Sequence, residues 1–133
     1  MARYWKPSKS FIARDRARGD RYEQNLKDAQ RSVVADYPTD CQDAIIEAAH
    51  LHMNACEELE LAKCYYYIRD NGVWVWKHEY AAEWYEKKKA EALSIYQEYL
   101  EAKERISATY GIHSDYVAEL VKSVCKAFDS VEF

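Results

Sequence analysis

The chain has 133 residues, enough for one domain with a single core. A hydrophobic content of 49% excludes wholesale disorder, and no apolar run approaches the roughly 20 residues that cross a bilayer. The formal net charge of −4 hides a strong asymmetry: the first 21 residues hold seven of the 19 Lys and Arg against only Asp15 and Asp20, while the remaining chain has 12 cations against 21 carboxylates.

In chain order, the opening segment is a cationic arm: Arg3, Lys6, Lys9, Arg14, Arg16, Arg18 and Arg21, interleaved with Tyr4, Trp5, Phe11 and Tyr22. Its charges sit on no apolar stretch of the kind a signal peptide carries, so none is expected. Pro7 precedes Ser8 and Ser10, either of which can cap a helix from about Phe11. Gly19 is expected to interrupt it, with a restart at the acidic capping box Asp20-Arg21-Tyr22-Glu23 and a run to about Ala35. Tyr37-Pro38 is a stop.

Thr39-Asp40-Cys41-Gln42 reads as a second capping box, followed by a helix over about 40–63. Ile45, Ala48, His52, Ala55, Leu59 and Ala62 form one apolar stripe, and Ile46, Ala49, Met53 and Cys56 an adjacent one. Residues 64–77 then change character: a Tyr-rich run, Asn71-Gly72, and a run containing Trp74 and Trp76. This pattern predicts a short β-hairpin whose tryptophans pack on helices or on a partner subunit. The competing reading extends the helix to Asp70 with Gly72 as its cap.

A long helix is expected from about His78 to Tyr110, supported by Glu83–Lys87 and Glu101–Arg105 pairs. The Lys87-Lys88-Lys89 run reads as a solvated face. Gly111 ends that helix, Ser114 caps the next, and Tyr116, Val117, Leu120, Val121, Val124 and Phe128 give the last helix its stripe. The fold class is therefore mainly α: a helical bundle of four to five helices with a short β-hairpin near residues 64–77. Residues 1–21 form a partly helical basic arm, and 22–133 a single helical domain expected to be oligomeric.

Little in the chain points to catalysis. Cys41, Cys56, Cys64 and Cys125 contain no C-x-x-C pair and read as reduced, small apolar residues of a cytoplasmic protein. Glu47-Ala-Ala-His50 is half of a di-iron helix motif without its second copy, and His50 and His52 point to different helix faces. No phosphate loop, nucleophile elbow or zinc pattern occurs, so neither enzyme activity, cofactor nor metal is expected.

The candidate site is the arm. Arg14, Arg18 and Arg21 follow i, i+4, i+7 and share one helical face, with Lys9 and Arg16 flanking it. Such a set can neutralise phosphates of duplex DNA without sequence preference. The same cations can instead dock on a protein partner or on the acidic body. A membrane surface suits them least, because the arm has too little contiguous apolar face. Twelve tyrosines raise a second candidate, a half-buried subunit interface around Tyr66, Trp74, Trp76, Trp84 and Tyr85, although an amphipathic core explains them equally.

From about Asp40 to Tyr116 the chain resembles the small subunits of phage terminases. The matching stretches are Ala55-Cys56-Glu57-Glu58-Leu59, Asp70-Asn71-Gly72-Val73, Lys77-His78-Glu79-Tyr80 and Tyr110-Gly111-Ile112-His113-Ser114. The family often has Pro where Glu79 stands, and its long helix is usually shorter. The resemblance implies a ring-forming, non-catalytic viral protein in the host cytoplasm that recognises viral DNA and passes it to a larger motor subunit. The aromatic face would then be a homo-oligomer interface and the arm a DNA contact. Two other readings stand beside it: a phage-encoded inhibitor or adaptor that binds a protein target through its acidic helices, and a structural component of a virion or large assembly.

Overall fold

Proline and glycine placement divides the described residues into four α-helices and one hairpin. The computed structural model describes residues 6–131, so Arg3, Tyr4 and Trp5 of the arm lie outside the described residues. The elements are α1 (Lys9–Val33), α2 (Thr39–Ala62), a 3₁₀ turn (Lys63–Tyr65), β1 (Tyr66–Ile68), β2 (Trp74–Trp76), α3 (Ala81–Tyr110) and α4 (Ser114–Ser130). The mainly α fold with a short hairpin is thus the one expected.

Helix α1 starts where Ser8 accepts a hydrogen bond from the Phe11 N–H at 3.1 Å. The expected break at Gly19 does not occur: α1 runs unbroken from Lys9 to Val33. A helical glycine costs about 1 kcal/mol relative to Ala, less than the good helix formers on either side supply together.

The start of α2 also differs from expectation. Thr39 lies inside the helix, Pro38 holds the cap position, and no side chain caps it. Gln42 turns away from Thr39 and donates to the Tyr37 carbonyl at 2.8 Å, tying the inter-helix turn together. At α4 the cap is His113, whose Nδ1 accepts from the Asp115 N–H at 3.2 Å. Ser114, the expected cap, instead donates to Glu104 at 2.8 Å. Gly111 ends α3 in the left-handed region at φ 68°, which a side chain would resist.

Helices α2 and α3 make the most extensive contact in the fold. The small residues Ala48, Ala55, Ala62, Ala81, Ala92 and Ala102 are buried and let the two backbones approach closely. α4 lies across this pair, burying Val117, Leu120, Val121 and Val124 against Ile45, Ala49, Tyr99 and Ile106. Burial pushes the Tyr99 phenol and the Cys41 and Cys125 thiols above their ordinary pKa values.

α1 packs mainly on α4. Tyr37, just past its end, pairs with Tyr116 on the first turn of α4, so the two helices run antiparallel. Tyr22, Leu26, Ala29, Gln30 and Val33 form the packed side of α1. Gln30 is buried and reaches His50 on α2 at 3.4 Å, and Arg31 binds Asp43.

The hairpin joins α2 to α3. Its strands pair antiparallel, Tyr66 opposite Trp76 and Ile68 opposite Trp74. Asp70, Asn71 and Gly72 form the turn: the Gly72 N–H donates to the Arg69 carbonyl at 2.8 Å, and Gly72 takes φ 79°. That is the three-residue loop ending in a left-handed glycine, which is why Gly stands third.

Candidate nucleic-acid interface

Length mismatch between α1 and α4 creates the site. α1 has 25 residues and α4 has 17. Every residue of α1 before Tyr22 is exposed except the half-buried Gly19. Residues 9–21 therefore continue the helix past the surface that holds its second half.

At about 100° per residue, this projecting part has four distinct faces. Ile12, Asp15 and Gly19 extend the line of Tyr22, Leu26 and Val33, the line that α4 covers lower down. Arg14, Arg18 and Arg21 form one ridge beside it, as the spacing predicts. Lys9 and Arg16 do not flank that ridge. They lie roughly 140–160° around the helix from Arg14, on the other side of the Ile12 line. Opposite that line, between the two ridges, stand the small residues Ser10, Ala13 and Ala17, with Asp20 at the edge beside Lys9 and Arg16.

Four of the five ridge cations make no ion pair with the described part of the body. Among the described residues no ion pair joins Lys9, Arg14, Arg16 or Arg21 to a carboxylate of the body. Arg14 instead turns back along its helix, donating from Nε to the Ser10 carbonyl at 3.4 Å. For these four cations, docking on the chain's own acidic body is not the arrangement seen.

The aromatic candidates divide into two groups. Tyr66 and Trp74 stack with ring centres 4.3 Å apart and planes within 4°. Tyr85 on α3 meets the edges of Tyr66 at 5.5 Å and Trp74 at 5.8 Å, and tilts against Trp76 at 5.4 Å. Trp84 stands apart from that cluster, against Tyr65 at 5.9 Å and His78 at 4.9 Å. The tryptophans are less covered than a packed hairpin would make them: Trp74 remains 50% exposed and Trp76 39%. Two short strands cannot enclose rings of this size, so the cluster is held on one side only.

The lysine run is not wholly solvated either. Lys88 reaches Glu58 on α2 at 2.5 Å and Glu91 at 3.7 Å, clamping α3 to α2, and its hydrogen bond to Glu58 raises its pKa. Neither Glu83–Lys87 nor Glu101–Arg105 is among the ion pairs present between described residues. The pairs within helices there are Lys88–Glu91 and Lys122–Glu119, both at i,i+3. His52 edges onto Tyr99 at 4.9 Å, and no group of three or more metal-ligating side chains gathers among the described residues.

Comparison with family models, with curated proteins and with solved structures found no match. No described helix is long and apolar enough to cross a membrane.

Proposed function

We propose that the protein is a non-enzymatic, multi-copy nucleic-acid-binding protein that grips the phosphate backbone of duplex DNA with the projecting half of α1. The single observation that carries this reading is the pair of cationic ridges on a helix that leaves the body, with a face of Ser10, Ala13 and Ala17 between them and one carboxylate, Asp20, at its edge. An α-helix about 10–12 Å across matches a major groove about 12 Å wide. Cations on both sides of the helix then reach both phosphate walls, and small side chains between them allow the backbone to approach the groove floor. Attraction of this kind is strong at low salt and carries little sequence preference.

The role fits the part that the terminase-like resemblance implies, a DNA-recognising component that leaves the chemistry to a larger motor subunit. It places the protein in the cytoplasm, where both the DNA and reduced cysteines are found. A gel shift with a short duplex tests it. The wild-type chain retards the duplex at low salt, and Arg14→Ala, Arg18→Ala and Arg21→Ala together weaken retardation at least tenfold. An unchanged shift in the triple variant removes the arm from the contact.

A further inference from the structure

The hairpin has two faces of different character. Its ladder continues past the strands: the Lys77 N–H donates to the Tyr65 carbonyl at 3.1 Å, and the Arg69 N–H to the Val73 carbonyl at 3.0 Å. Side chains alternate across a strand, so Tyr66, Ile68, Trp74 and Trp76 share one face, the one that meets Tyr85 of α3. Tyr67, Arg69, Val73, Val75 and Lys77 share the other. Tyr67 takes part in none of the ring contacts of the aromatic cluster and is 48% exposed.

Tyr67 stands at the centre of this second face. Val75 lies opposite it, Arg69 is two residues along its own strand, and Lys77 is diagonal on the other. Neither cation forms an ion pair among the described residues, although Asp70 and Glu79 are close in sequence. Beyond the inner end of the sheet, Trp84 meets Tyr65 edge-on at 5.9 Å and is 47% exposed. These two rings line an open hollow of about 370 Å³ with Lys87, Lys88 and Glu91. Glu58 and Glu91 engage Lys88, while Lys87 has no ion pair among the described residues. Charge follows the same boundary. Residues 63–89 carry six of the 12 cations found after residue 21, only four of the 21 carboxylates, and eight Tyr and Trp.

We infer that the Tyr67 face of the hairpin binds single-stranded nucleic acid: one base stacks on Tyr67, Arg69 and Lys77 hold the phosphates beside it, and a further base lies on Trp84. An exposed ring between two cations can stack a base and neutralise its backbone together. A duplex keeps its base faces inside the stack, so a ring on an open sheet takes a strand whose bases are unpaired. The centre of a protein interface is depleted of charge, unlike this face. A membrane surface calls for more apolar area than one Tyr and two Val present. The inference goes beyond the duplex contact of the arm and does not rest on it.

The test is made with Arg14→Ala, Arg18→Ala and Arg21→Ala in place, so that failure of the duplex contact leaves its readout standing. Binding of a labelled short oligothymidylate is followed by anisotropy and compared with an abasic strand of equal length. The thymidylate should bind more tightly. Tyr67→Ala should weaken it by about fivefold or more, Tyr67→Phe should restore it, and neither should alter binding of the abasic strand. Unchanged tryptophan emission in the free Tyr67→Ala protein shows that the aromatic cluster is intact. Arg69→Ala with Lys77→Ala should flatten the slope of log binding constant against log salt by about 1.4. Ultraviolet cross-linking should join thymine to Tyr67 or Trp84, as read by mass spectrometry of the peptides. Equal affinity for the two strands, a Tyr67→Ala protein that binds thymidylate as before, or cross-links confined to the arm would overturn the base contact. Retention on phosphatidylcholine–phosphatidylserine vesicles without thymidylate binding would overturn it in favour of a lipid surface.

Discussion

Position 19 decides whether the arm is an extension of α1 or a separate segment. Gly19 has no left-handed backbone, and a Cβ built there meets nothing within 4 Å. Gly19→Ala therefore adds no clash and strengthens the helix by about 1 kcal/mol. Gly19→Pro does the opposite. It removes the N–H that bonds the Asp15 carbonyl and drives the ring into that carbonyl, at a cost of about 3 kcal/mol or more. Residues 9–18 are exposed, so packing on the body does little to offset such a cost, and they detach from the helix. Far-UV circular dichroism should lose about a tenth of its helical signal, because those residues are roughly that share of the helical total. The denaturation midpoint of the core should stay near wild type, since residues 9–18 bury nothing in it. Hydrogen exchange should show fast amides confined to residues 9–18 in Gly19→Pro and slower ones in Gly19→Ala. Unchanged helicity and exchange in Gly19→Pro would refute the continuous helix, and with it the alignment of the two ridges.

Other perturbations probe the rest of the molecule. Ile45 is fully buried between helices, so Ile45→Ala should cost about 2–5 kcal/mol in urea unfolding; a loss below 1 kcal/mol would mean the core is not packed as described. Tyr85→Ala removes the ring that meets Tyr66, Trp74 and Trp76, three contacts worth about 0.5–1.5 kcal/mol each. It should red-shift tryptophan emission and free the hairpin while the helices persist; unaltered emission would contradict the cluster. Cys64 is exposed whereas burial raises the Cys41 and Cys125 thiols, so alkylation followed by mass spectrometry should label Cys64 before either. The same shifts fix a pH dependence. Unfolded thiols ionise near the ordinary 9.0, while the two buried ones hold their protons to higher pH. Their contribution to stability is thus full below pH 9 and is lost as pH rises through the raised values. A denaturation midpoint that climbs with pH above 9 would reverse that sign.

How much was legible depended on whether a feature is local. The hairpin could be read because Asn71-Gly72 sits between a Tyr run and a Trp run, and the turn needs φ above zero at Gly72. The α3 stop could be read at Gly111 for the same reason. Gly19 misled, because an isolated glycine weakens a helix without ending it when both flanks favour helix. The caps misled where a better donor or acceptor lay elsewhere: Gln42 prefers the Tyr37 carbonyl, and Ser114 prefers Glu104. The Arg14, Arg18 and Arg21 ridge follows from spacing alone. The placement of Lys9 and Arg16 on the far side needed the knowledge that one helix carries all five. The division of the aromatics, with Trp84 apart from Tyr66, Trp74, Trp76 and Tyr85, depends on which side of α3 the hairpin folds over, which no local pattern records. The apolar opening lined by Leu59, Leu93 and Tyr96 becomes visible only once α4 is seen to end short of it.

The central claim is that the α1 arm holds nucleic-acid phosphates, and its salt dependence tests that most directly. Five cations on Lys9, Arg14, Arg16, Arg18 and Arg21 predict a slope of log binding constant against log salt of about −4.5 per arm on duplex DNA. The triple change of Arg14, Arg18 and Arg21 to Ala should bring it to about −1.8. A wild-type chain that ignores duplex DNA at low salt, or a triple variant that keeps the wild-type slope, would contradict the account.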